Sequence, residues 1–238
     1  MTIDYTNDDS VQRSQDLMLE IGKKYGTDKV SKHQYHTIYP LYLDKYRDTS
    51  GNMIEVGLNR SKSLKMYMEL LPNMHIYALD INPFFNISAL QEIEGFDLET
   101  MKSDRCTVIK CDQSSIDDLN DVKTKINLGI DIISDDGSHV PEHQVLTFNS
   151  LFPMLNSGGI YIIEDIETSY YNWATKKIYG RYNIKYGTGH PNSCIEQFKK
   201  VIEGINHKYA NYYSPEIEHQ HEIHSVTFAL NCIIIIKK

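Results

Sequence analysis

The stretch Met53-Ile-Glu-Val-Gly57-Leu-Asn59-Arg-Ser61-Lys-Ser63-Leu64 decides the fold. Met53–Val56 is a short, β-rich run, Gly57 permits a tight turn, and residues 61–71 have the length and apolar spacing of a helix. The same unit recurs downstream. Further apolar runs stand at Ile76–Leu79, Cys106–Ile109, Ile130–Ile133 and Ile160–Ile163. Helix-length segments fill the gaps at Ile87–Glu94, Ser115–Ile126 and Pro141–Leu155. The strands read as continuous apolar runs rather than alternating ones, as strands covered on both faces do. Strand–helix alternation at this spacing predicts a parallel sheet built from βαβ units.

Upstream, residues 1–15 are polar and read as frayed, and Gln12–Tyr25 reads as a helix that Gly22 and Gly26 loosen and end. Downstream of Asp165 the composition shifts. Residues 167–192 are rich in Tyr, Gly, Lys and Asn and hold Trp173, the single tryptophan, and they read as a long lid loop. A helix over Ser193–Asn206 follows. Residues 223–238 form two β-rich runs broken near Asn231, and a break that short makes an antiparallel hairpin. A mostly parallel α/β sheet with an antiparallel C-terminal hairpin and helices on both faces is similar to the Rossmann-like, seven-stranded class I methyltransferase arrangement. Two regions are expected: an N-terminal helical segment over residues 1–50 and one α/β domain over residues 51–238.

Composition narrows the function. The 238 residues carry 24 basic and 32 acidic side chains, a formal net charge of −8, which argues against a dedicated nucleic-acid binder. The four cysteines, Cys106, Cys111, Cys194 and Cys232, lack C-x-x-C spacing and suggest neither a zinc site nor a disulfide framework. The polar, acidic start MTIDYTNDDS is unlike a signal or transit peptide, and no apolar run approaches a membrane span, so a cytoplasmic protein without a membrane partner is expected.

In an open α/β sheet, ligands bind at the carboxyl ends of the strands. After the first strand, Gly57 allows close approach, and Asn59, Ser61 and Ser63 line a loop feeding a helix, although the pattern is not a strict G-x-G-x-x-G. The second strand ends at Asp80, 23 residues after Gly57, where a carboxylate can accept both hydroxyls of a ribose. The third ends in Cys111-Asp112-Gln113-Ser114, whose side chains can read an adenine edge; for Asp112 or Ser114 a helix N-cap is the plainer role.

Ile132-Ile-Ser134-Asp135-Asp136-Gly137-Ser138-His139 and Ile162-Ile163-Glu164-Asp165 each follow an apolar strand. Both therefore end at one sheet edge, where four carboxylates and an imidazole are expected to converge. Clustered carboxylates repel unless a cation compensates, and oxygen ligands suit a hard divalent ion such as Mg²⁺. The plainer alternatives are helix caps and a salt bridge to lysine.

These residues resemble the metal-dependent sugar O-methyltransferases of the mycinamicin macrolide type and their stand-alone relatives in polysaccharide pathways. The match comprises Gly26-Thr-Asp-Lys29, His33-Gln-Tyr35, Tyr39, Glu55-Val-Gly57, Asp112-Gln-Ser114, Asp135-Asp-Gly-Ser-His139, Thr147-Phe148, Leu151-Phe-Pro153, Gly158-Gly159 and Ile163-Glu-Asp165 with Thr168-Ser-Tyr170. It runs from about residue 22 to residue 171 and more loosely through the final hairpin. The resemblance implies S-adenosylmethionine as cofactor, a divalent metal (Mg²⁺ or another) on Asp136, Glu164 and Asp165, and His139 as general base. It also implies that residues 26–29 fold over the cofactor. Cofactor contacts are expected at Asp28, Glu55, Gly57, Asn59, Ser63, Asp80, Asp112, Gln113, Ser114 and Asp135. Two departures stand out: Ser61 replaces a common second glycine, and the large N-terminal extension of the macrolide enzymes has no counterpart here.

The acceptor is expected to be a hydroxyl of a sugar-containing small molecule or glycan. His143, one helical turn after His139, and Tyr170 and Trp173 in the lid are its candidate contacts; a helix-surface role for His143 and a lid without specific contacts are the alternatives. His219, His221 and His224 resemble a metal tract but read better as exposed histidines. A phenol or catechol O-methyltransferase, a dinucleotide-binding oxidoreductase and an inactive cofactor-binding protein are the competing readings, and a homo-oligomer is compatible with the sequence.

Overall fold

The computed structural model describes residues 8–82, 102–171, 185–187, 189–206, 209 and 218–238. The expected helix at Ile87–Glu94, most of the lid loop and Trp173 lie outside the described residues. Two compact units emerge. One comprises Met1–Gly51, Leu58–Ile76 and Phe85–Thr107; the other comprises Asn52–Gly57, Tyr77–Phe84 and Val108–Lys238.

In the first unit the helix α1 runs over Asp8–Tyr25, so the segment expected to fray is helical from Asp8 onward. Two short helices follow, α2 (Asp28–Ser31) and α3 (Pro40–Leu43), and then α4 (Lys62–Leu70). Gly22 does not loosen α1. A Cβ there would overlap the side chain of Val30, so the glycine lets α2 pack closely on an unbroken helix. Gly26, at φ +67°, ends it. Lys24 and Tyr25 both reach Glu69 on α4, and Ser14 binds Asp44 at 2.5 Å. The rings of Tyr35 and Tyr39, both buried, stack 4.9 Å apart. Arg105 closes the end of α4, donating to the carbonyls of Met68 and Met74 at 3.1 and 3.3 Å.

The strands are β1 (Gly51–Val56), β2 (Met74–Asp80), β3 (Cys106–Lys110), β4 (Ile130–Asp135), β5 (Leu155–Glu164), β6 (Ile223–Ala229) and β7 (Cys232–Lys237). They form one seven-stranded sheet in the order β3-β2-β1-β4-β5-β7-β6. β1, β4 and β5 pair in parallel, whereas β7 runs antiparallel to both β5 and β6. The expected hairpin is therefore present, and its β7 strand is inserted beside β5. The strand β5 begins five residues earlier than the apolar run suggests. Its register jumps between Ile130 and Ile132 of β4, so Gly158 and Gly159 lie within the strand.

The second unit also contains α5 (Ile116–Lys125), α6 (Pro141–Leu151) and α7 (Cys194–Ile205). Their apolar positions, including Leu119, Val122, Phe148, Leu151, Phe198 and Val201, pack with Ile54, Val56, Ile133, Tyr161, Ile163, Ile233 and Ile235 of the sheet. Phe148 is the hub, with ring centres 4.6 Å from Phe152, 5.1 Å from Tyr161 and 4.9 Å from Phe198. The alternate strand residues Met53, Ile132, Ile160 and Ile162 are just as buried, so both sheet faces are covered. No helix among the described residues is long and apolar enough to cross a membrane.

Candidate metal and catalytic site

The parallel pairing of β4 with β5 sets Asp135 opposite Ile163. The next residues of each strand, Asp136 and Glu164-Asp165, thus leave the sheet at the same carboxyl edge. Two backbone turns aim the side chains. His139 at φ +57° and Asp165 at φ +51° both occupy the left-handed region, which non-glycine residues seldom adopt. Asp136 donates its backbone N–H to Val56 at 2.9 Å, which ties the end of β4 to β1. Gly57, at φ +91°, lies against this point, and a Cβ there would overlap the carbonyl of Asp136. The glycine in the opening stretch is thus needed for the close packing of the β1 turn on the carboxylate strand.

Asp136, His139 and Asp165 converge, with one ligand atom from each lying within 4.8 Å of the others. His139 Nε2 is 3.6 Å from Asp165 Oδ2, and its Nδ1 is 4.0 Å from Asp136 Oδ1. All three side chains are partly exposed. The two carboxylates offer the oxygen ligands that suit a hard divalent cation, with the imidazole beside them, and this is the single such group among the described residues.

The expected convergence of four carboxylates is reduced by burial. Glu164 stands outside the converging group, is 1% exposed, and accepts a hydrogen bond from Ser134 Oγ at 2.8 Å. Gln144, also buried, donates to its backbone carbonyl. Asp135 points into the protein. Burial raises its carboxyl to about 7, against hydrogen bonds from Gln113 and the Gly137 backbone that lower it.

Gln113 takes a different part from the adenine reading. Its Nε2 donates to Asp135 Oδ1 and to Thr147 Oγ1, each at 3.0 Å, and its Oε1 accepts the backbone N–H of Ser138. Every polar atom of the side chain is engaged, and the residue braces the Asp135–Ser138 loop from within. Gly137 makes room for it, since a Cβ there would overlap Oε1. His143 supports the same loop, with Nδ1 2.9 Å from Ser138 Oγ. The glutamine's role could not be read from sequence, because its partners come from β4, the following loop and α6.

Neither Asp112 nor Ser114 is the cap of α5. Asp112 Oδ1 accepts from Ser114 N and Oγ, which holds the Asp112 carboxyl below its ordinary range, and the cap of α5 is Ser115. Asp80 ends β2, partly exposed, with Oδ1 accepting from Asn82 N. Glu55 lies fully buried in β1. In the first unit, Asp28 is exposed at the start of α2, Asn59 is exposed at φ +43°, and Ser63 is buried in α4. Tyr170 is 61% exposed and lines a groove of about 360 Å³ with Ile166, Glu167, Ala229, Leu230 and Asn231. His219 and His221 flank Glu222 at 2.9 and 3.8 Å, and His224 is exposed; the three histidines form no metal group.

A seven-stranded sheet in this order, with its reversed strand beside β5, is the Rossmann-like class I methyltransferase fold. No family model matches the chain. Particular relatives do. The chain is 29% identical over 191 residues to the 8-demethyl-8-alpha-L-rhamnosyl tetracenomycin-C 2'-O-methyltransferase of Streptomyces olivaceus, covering 77% of this chain and 44% of that enzyme. It is 27% identical over 201 residues to the mycinamicin VI 2''-O-methyltransferase of Micromonospora griseorubida, covering 79% of this chain and 44% of that enzyme. Among solved structures, MycE methyltransferase from the mycinamycin biosynthetic pathway, in complex with Mg, SAH and mycinamycin VI, aligns with a TM-score of 0.74 at 24% identity. That alignment covers 92% of this chain and 53% of MycE. The chain thus spans less than half the length of the two sequence relatives described.

Proposed function

We propose that this chain is an S-adenosylmethionine-dependent O-methyltransferase that uses a divalent cation to methylate a sugar hydroxyl. The observation that carries the reading is the convergence of Asp136, His139 and Asp165 at the carboxyl edge of adjacent parallel strands. The relatives' names add the substrate class, since they act on sugars carried by small natural products.

Asp136 and Asp165 would hold Mg²⁺, with Glu164, buried against Ser134, behind them. When bound, the cation would acidify an acceptor hydroxyl and fix its oxygen. His139 accepts the hydroxyl proton. The flanking carboxylates stabilise the imidazolium that results, and the left-handed turn keeps the ring at the edge. Asp80, at the tip of β2, is proposed to accept the ribose hydroxyls of the cofactor. The groove beside Tyr170 adjoins Asp165 through Asn231, and we assign it to the body that carries the acceptor sugar.

A screen of methyl transfer from S-adenosylmethionine with Mg²⁺ over glycosides, nucleotide-sugars and catechols tests the reading. Turnover on a glycoside is expected. Turnover confined to catechols would assign the site to phenol chemistry, and cofactor binding restricted to a nicotinamide dinucleotide would overturn the class.

A further inference from the structure

We infer that Asn231, in the turn between β6 and β7, is a positioning residue for Asp165. The inference rests on the proposed cation site. Leu230 and Asn231 form the connection of the hairpin, and Asn231 lies at φ +59°. Because Glu164 pairs with Cys232, the hairpin turn arrives beside Asp165 just as β5 ends. Three hydrogen bonds then join the two turns. Asn231 Nδ2 donates to Asp165 Oδ1 at 2.9 Å, Asn231 Oδ1 accepts from Glu167 N at 2.9 Å, and the backbone carbonyl of Asn231 accepts from Ile166 N.

The consequence lies in which carboxylate oxygen is taken. The amide engages Oδ1 and leaves Oδ2 directed at His139 Nε2, 3.6 Å away. Without the amide the carboxylate could turn about its side-chain bonds, and both its direction and the left-handed turn at Asp165 would lose their support.

The turn alone does not require asparagine. Glycine and aspartate also adopt the left-handed conformation. Asparagine is the one of these three whose side chain donates to a carboxylate and accepts from Glu167 N at once. A cation ligand held from behind by an amide is the arrangement in which loss of the outer partner typically weakens metal binding about 10–100-fold.

The test is a calorimetric titration of Mn²⁺ into the full, metal-stripped chain, wild type against N231G, with a crystal structure of metal-free N231G. Glycine keeps the turn and the backbone bond to Ile166. The expected result is Mn²⁺ affinity lowered about 10–100-fold, a thermal midpoint near that of the wild type, and Asp165 Oδ2 displaced from His139. Wild-type affinity in N231G, or an unmoved Asp165 carboxylate, would overturn the inference. Should the wild type itself take up no Mn²⁺, the cation reading fails, while the crystal structure still decides the positioning. If N231G does not fold, N231D, which keeps the turn and the acceptor for Glu167 N, replaces it. A wild-type orientation of Asp165 in that variant would equally refute the inference.

Discussion

Asp135 and His139 sit four residues apart and do opposite things. Asp135 is sealed in, and burial lifts its carboxyl from 3.8 to about 7. An acid raised in the folded state favours folding when protonated. Its contribution is complete below the unfolded value of 3.8 and is lost as pH rises through about 7. Urea unfolding of the cation-free protein should therefore show stability falling between about pH 4 and 7, and D135N should flatten that fall. An equal fall in both proteins would count against the assignment. Gln113 is the brace, and Q113A leaves Asp135, Thr147 and Ser138 N short of a partner. A loss of about 1–3 kcal/mol in urea midpoint experiments is expected. His139, by contrast, is partly exposed at the edge. H139A should lower turnover about 10²–10⁴-fold while leaving cofactor affinity, read by calorimetry, unchanged; near-wild-type turnover would remove it from the base role.

At the scale of elements, the strand and helix sequence was legible because the strands β1, β4 and β5 are apolar-rich without strict alternation and their spacing leaves room only for crossovers. The carboxyl edge was legible too, since Asp136 and Asp165 each stand within three residues of the end of such a run. What sequence could not supply is the direction of side chains. Glu164 and Asp165 are neighbours, yet one is buried against Ser134 and the other reaches His139 through a left-handed turn. Gln113 and Asn231 act through partners 22 to 66 residues away, and no local pattern marks such contacts. Gly57 belongs to this scale as well. G57A places a methyl group on the Asp136 carbonyl at a positive φ, so β4 must shift. Stability should drop by at least about 1 kcal/mol, and Mn²⁺ affinity should fall with it, whereas an alanine variant with unchanged cation affinity would show that the turn does not set the edge.

For the whole molecule, the −8 charge is concentrated in part where it serves a purpose: Asp136 and Asp165 share one edge that a divalent cation would neutralise. The four cysteines are all buried, and burial pushes the Cys111 thiol up to about 12. The native protein should therefore leave an aromatic disulfide reagent unconsumed at neutral pH and consume four equivalents once unfolded. The central claim is that Asp136, His139 and Asp165 form a cation-assisted methyl-transfer site. Its most direct test is the rate of S-adenosylhomocysteine release from metal-stripped protein, with a glycoside acceptor, before and after Mg²⁺ is returned. A rate lost on stripping and restored by Mg²⁺ is expected; a stripped protein that turns over as fast as the replenished one would contradict a cation-assisted site.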